Sequence, residues 1–110
     1  MKIDVYDNFF SKEIQKEVWT LMQRPQWSFN GGRQDHSFWH MNDLEKEDYF
    51  SKFLFKIILK KLNKPFKCIR IYANGQTAGQ CGMPHDDDGD FTFLYYPIGN
   101  KLNAREYLVV

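Results

Sequence analysis

His85 and Asp87 are, by type and spacing, the residues of this chain best suited to hold one cation together. In extended backbone, residues two apart point to the same side, so the imidazole nitrogen and carboxylate oxygen of a His-x-Asp can meet a single ion. The pair sits in the glycine-rich stretch from Asn74 to Asp90, where Pro84 stiffens the approach to His85. The motif is short, and its weight comes from its flanks. A tyrosine-bearing strand before it (Cys68 to Tyr72) and an aromatic strand after it (Phe91 to Tyr96) would set the pair at the mouth of a sheet. Asp86, Asp88 and Asp90 around Gly89 invite comparison with a calcium loop. Counted from Asp86, however, the glycine such a loop needs falls on Phe91, and no closing glutamate follows.

The elements that must position these residues can be read along the chain. A short strand is expected at Ile3 to Tyr6. Ser11 then caps a helix running to about Gln23, with Ile14, Val18, Leu21 and Met22 at helical spacing and Pro25 closing it. Trp27 to Met41, rich in Gly, Asn and aromatics, reads as loop with short strands; Arg33, Trp39 and His40 in it are candidate substrate-contacting residues. His36 and His40 are spaced for a helical face, but Gly31, Gly32 and Phe38-Trp39 argue against a helix there. A second helix is expected from Asp48 to Leu62, with Phe50, Phe53, Leu54, Ile57, Ile58 and Leu62 on its apolar face and Lys52, Lys56, Lys60 and Lys61 on its wet one. Asn63 and Pro65 end it. From Phe66 the period changes to two, and Tyr107 begins a further strand. The order of elements predicts one α+β domain over 1–110, with a helical support region (1–65) packed on a largely antiparallel sheet whose first strands lie in 66–110.

Composition narrows the function classes. The 110 residues are 43% hydrophobic and 17% aromatic, enough for a core of their own. Fifteen Lys and Arg against fourteen Asp and Glu leave a net charge of +1, so no nucleic-acid or anionic-membrane footprint is indicated and the lysine series reads as a solvated helix face. Cys68 and Cys81 form neither a CxxC pair nor a disulfide framework. The charged N-terminus and the lack of an apolar run near the roughly 20 residues of a membrane span lead to the expectation of a cytoplasmic protein. No Gly-x-Ser-x-Gly elbow, Walker loop or His-Glu-x-x-His points to hydrolase chemistry.

From Arg70-Ile71-Tyr72-Ala73-Asn74-Gly75-Gln76 through His85-Asp86-Asp87 to Phe93-Leu94-Tyr95-Tyr96, the sequence resembles the prolyl-4-hydroxylase-like branch of the iron(II)- and 2-oxoglutarate-dependent dioxygenases. The similarity extends from Asp7 to Tyr96, because in that family a helical segment supports a double-stranded β-helix, or jelly roll. The resemblance implies that His85 and Asp87 are the first two arms of a 2-His-1-carboxylate iron(II) site. It implies that Tyr72 and Tyr96 hydrogen-bond the co-substrate 2-oxoglutarate. The reaction implied is hydroxylation of an unidentified protein side chain or small molecule. Where a jelly-roll oxygenase chooses its target is a matter of loops rather than of the shared site.

The pattern departs from the family after the motif. No histidine follows His85, and Lys101 and Arg105 are the only later basic residues, too near the motif to fill the family's distal basic position. The third metal ligand is therefore not in this chain, and the expectation is an incomplete jelly roll, the N-terminal half of the fold cut before its distal His and Arg. An open sheet edge then allows a homodimer that completes the barrel. The alternative is a non-catalytic β-sheet interaction module derived from that fold.

Overall fold

In the computed structural model, which describes residues 3–30, 38–76, 89, 91–97 and 105–109, the first helix begins where its cap predicts. The Ser11 hydroxyl accepts a hydrogen bond from the Ile14 N–H at 3.3 Å, and α1 runs over Lys12–Met22. Val18 and Met22, one turn apart, are its buried residues. The indole N–H of Trp27 donates to the Met22 carbonyl at 2.6 Å, satisfying an acceptor at the helix end and turning the chain towards the sheet.

The second helical segment starts as a π-turn over Tyr49–Leu54 and continues as α2 over Phe55–Leu62. The wider turn shows in the Phe55 N–H, which bonds the Phe50 carbonyl five residues back. Phe50, Leu54 and Ile58 are buried from this segment. Asn63, left-handed at φ 53°, closes it with its N–H on the Leu59 carbonyl. Lys61, expected on the wet face, instead donates to the Phe9 carbonyl and lies over the Phe9 ring.

The sheet has five antiparallel-paired strands: β1 (Ser28–Asn30), β2 (Phe38–Met41), β3 (Tyr72–Gln76), β4 (Leu94–Tyr95) and β5 (Arg105–Val109), in the order β1-β2-β3-β5-β4. Two of the strands, β1 and β2, come from the region expected to be helical support. Each strand pairs only antiparallel neighbours, so β3 and β4 run in the same direction on either side of β5. The α+β class and its mixture of helices with antiparallel sheet are thus seen directly.

Two strand expectations need correction. Ile3 to Tyr6 joins no sheet; Ile3, Val5 and Tyr6 are exposed, and Tyr6 rests edge-on against Phe9 at 5.5 Å. The strand expected at Cys68 to Tyr72 starts only at Tyr72 and continues through Asn74-Gly75-Gln76. The reason is a competitor for the backbone of Ile71. In the 3-10 turn Leu44–Lys46, the Leu44 N–H donates to the Ile71 carbonyl and a Glu45 carboxylate oxygen accepts from the Ile71 N–H, both at 3.0 Å. With both its backbone groups taken, Ile71 cannot join a ladder.

Between helices and sheet lies a core of Phe9, Phe10, Val18, Met22, Met41, Leu44, Phe50, Leu54, Ile58, Ile71 and Ala73. Phe93 and Tyr95 tie β4 to it, with Phe9 to Phe93 at 4.9 Å and Phe10 to Tyr95 at 5.0 Å between ring centroids. Arg24 joins three parts of the fold. It forks onto Glu47 at 2.7 and 3.3 Å and donates to the Leu21 carbonyl at 3.0 Å and to the Met41 sulfur at 3.4 Å. Among the described residues, no helix is long and apolar enough to cross a membrane.

Candidate functional site

Alternation along the strands divides the sheet into two faces. Met41, Ala73 and Gly75 are buried against the core, whereas their neighbours His40, Tyr72 and Asn74 are only half-buried and point the other way. The same alternation on β4 turns Phe93 and Tyr95 to the core and leaves Leu94 and Tyr96 exposed at 44% and 57%. The face turned away from the helices therefore carries His40, Tyr72, Asn74, Leu94 and Tyr96. Such composition, aromatic and polar together, suits a small polar ligand better than it suits a second apolar layer.

Register fixes the arrangement. His40 is directly opposite Asn74, which makes them cross-strand neighbours at about 5 Å. Tyr72 and Leu94 share a row across Val109, so continuing the register past β4 sets Tyr96 level with Asn74. Two strand spacings across and two residues along then separate Tyr72 from Tyr96 by about 12 Å at Cα. Arg70 joins them: its guanidinium carbon lies 5.6 Å from the centre of the Tyr72 ring.

Of the residues singled out from the sequence, His40, Tyr72 and Tyr96 thus share a face. Trp39, next to His40 in β2, faces the opposite side, where it tilts against Phe29 at 5.0 Å beyond the reach of the core. Trp39 and His40 therefore project from opposite faces of β2. His85, Asp87 and Arg33 lie outside the described residues, as does His36. Among the described residues, no three His, Cys, Asp or Glu side chains gather as a metal would require.

The described chain flanks the His-x-Asp motif on both sides. On its N-terminal side, β3 is described as far as Gln76, and on its C-terminal side Gly89 lies against Ile69, which precedes β3. Gly89 has φ +96°, which favours glycine, and a Cβ there would stand 2.8 Å from the terminal methyl of the exposed Ile69 side chain, which would have to shift. Phe91 stacks on Phe66 at 4.4 Å just beyond it.

Sequence reasoning missed Arg70 and Asn74 as members of this face. The signal was present: period two through Arg70, Tyr72 and Asn74 assigns all three to one side. Also unanticipated are two buried phenols on the core side. Among the described residues, the hydroxyls of Tyr49 and Tyr95 have no hydrogen-bond partner. Burial, then the Glu17 carboxylate, pushes Tyr49 up to about 12, although Glu17 stops short of an ordinary hydrogen bond. Burial likewise raises Tyr95. Burial, then the Glu45 carboxylate, raises Cys68.

Fold and face together define a small α+β domain with an antiparallel sheet, helices on one side and a polar, aromatic surface on the other. No family model, curated protein or solved structure matches the chain.

Proposed function

We propose that this chain is the N-terminal part of an iron(II)- and 2-oxoglutarate-dependent oxygenase of the prolyl-hydroxylase-like kind, its sheet being the first strands of a double-stranded β-helix. The observation that carries the reading is the gathering of His40, Tyr72, Asn74 and Tyr96 on the helix-free face. In a jelly roll that face looks inward across the barrel, where metal and co-substrate belong. Helix packing on the opposite face agrees with it.

In this reading His85 and Asp87 hold the metal, and Tyr72 and Tyr96 orient 2-oxoglutarate from two sides of the face. When bound, iron(II) with 2-oxoglutarate supplies the oxidising chemistry, and the protein supplies position and exclusion of water. Arg33 and His40 would meet the substrate, a protein side chain or a small molecule, and Trp39 would do so only from the far side of β2. The donor set fits: an imidazole, a carboxylate and phenols are hard or borderline ligands that suit iron(II) and a keto acid. The third ligand must come from outside the 110 residues, either from further chain or from a second copy pairing along the open strands β1 or β4.

The test is anaerobic titration of the metal-free protein with iron(II) and 2-oxoglutarate, following the weak visible absorption of the iron-bound keto acid. The band should appear in the parent and vanish in His85→Ala and Asp87→Ala. A folded protein that binds neither iron nor 2-oxoglutarate would instead be the non-catalytic interaction module.

A further inference from the structure

The near-neutral net charge of the whole chain conceals a strong local asymmetry. Residues 49–70 hold six lysines and one arginine and no aspartate or glutamate, while the rest of the chain holds eight basic against fourteen acidic residues. On the second helical segment these cations form a row. Lys52, Lys56 and Lys60 follow one another at a spacing of four and are all exposed, and Lys64 and Lys67 are exposed beyond the helix end. Asp48 holds Lys52 at 3.3 Å, and Glu17 lies near Tyr49 at the same end; Lys56 and Lys60 stand one and two turns further on.

Beside the cations runs a row of apolar side chains. Tyr49 and Phe53 are in contact, their ring centroids 5.2 Å apart, and Ile57 follows at the same spacing of four. The two rows line an open groove of about 480 Å³ over the π-turn. Phe53 is 45% exposed there, although Phe50, Leu54 and Ile58 on the inner side of the segment are buried. Among the described residues, all that line the groove come from 48–57, so a second wall is lacking. An open apolar strip of this kind does not enclose a small molecule, but it can sink into a soft layer. Its cations are lysines, whose ammonium groups on long stems stay hydrated at the level of headgroups while apolar neighbours pass below them. A nucleic-acid surface would instead favour arginine forks and a run of stacking rings.

We propose that the outer face of the second helical segment docks on an anionic lipid bilayer, with Lys52, Lys56 and Lys60 among the headgroups and Phe53 entering the layer beneath them. This surface is independent of the keto-acid reading, because the helices pack on the sheet face opposite His40, Tyr72 and Tyr96. A protein docked in this way turns its helix-free face to the water.

The experiment is co-sedimentation of the protein with vesicles of phosphatidylcholine alone, or of phosphatidylcholine with about one-third phosphatidylserine, at low and high salt. It compares the parent with Lys56→Gln plus Lys60→Gln, with Phe53→Ala, and with Lys12→Gln plus Lys16→Gln, a control that removes two exposed lysines from α1. Circular dichroism checks the fold of each. The parent should bind the anionic vesicles, ignore the neutral ones and detach at high salt. Each lysine lost from α2 should weaken binding about fivefold, and Phe53→Ala should do so by about the same factor. The α1 control should stay within about twofold of the parent. A folded parent that does not sediment with anionic vesicles, or binding that falls equally in the α1 control, overturns the proposal. Tighter binding to a short RNA duplex than to the vesicles, lost in the variant of Lys56 and Lys60, overturns it too and reassigns the surface to nucleic acid.

Discussion

The two faces of the sheet are built from alternate residues of the same strands, yet they obey different rules. On the helix side Met41, Ala73 and Tyr95 are packed by Phe10, Val18, Met22, Phe50 and Leu54, and volume decides what is tolerated. On the other side His40, Tyr72, Asn74 and Tyr96 stand half-buried or exposed, so side-chain volume constrains them less. One residue of slippage would exchange the two sets, so the core side also holds the site side in register.

The largest expected effect separates the faces directly. Phe50→Ala removes a fully buried ring from the centre of the core and should cost about 3–5 kcal/mol in denaturant unfolding. Tyr72→Phe should change stability by less than about 0.5 kcal/mol while abolishing or weakening keto-acid binding. Comparable destabilisation by the two changes would mean that the site face is core in another guise.

Gly89 probes the join between the faces and the His-x-Asp segment. Gly89→Ala forces a Cβ onto the Ile69 side chain at a positive φ, and the expected cost is about 1–2 kcal/mol. Shortening the obstacle as well, in Gly89→Ala with Ile69→Val, should recover part of that loss in a double-mutant comparison, while the backbone share stays. No recovery would show that φ alone sets the requirement.

What could be read from the sequence is what local chemistry writes. Ser11 announces α1 because a hydroxyl there must satisfy an orphan N–H, and Asn63 ends α2 because it tolerates left-handed backbone. The helical character of 48–62 was legible from spacing, but its opening π-turn was not, since the pattern of buried Phe50, Leu54 and Ile58 is the same for either turn. The start of β3 was illegible for a different reason. Ile71 is taken from the ladder by Leu44 and Glu45, more than twenty residues earlier in the chain, and no short window contains that competition. Tyr72 and Tyr96 were singled out by resemblance and fall on one face. Trp39 and His40, named together from their place in the loop, alternate along β2 and so lie on opposite faces of the sheet.

The smallest effect tests the core side on its own polar flaw. Tyr49 and Tyr95 bury hydroxyls that find no hydrogen-bond partner among the described residues, so Tyr49→Phe should be neutral or stabilising by up to about 1 kcal/mol, contrary to the usual loss on truncating a core residue. The sign with pH follows from its raised value. In the unfolded chain the phenol ionises near its ordinary 10.0, and in the folded protein only at about 12. Its contribution is therefore complete below pH 10 and is lost as pH rises from 10 towards 12, because the unfolded state releases its proton first. Unfolding free energy of the parent should fall more steeply across that window than that of Tyr49→Phe. Parallel slopes would mean that the Tyr49 hydroxyl reaches solvent, and the core face would then be less dry than the packing around Phe50 requires.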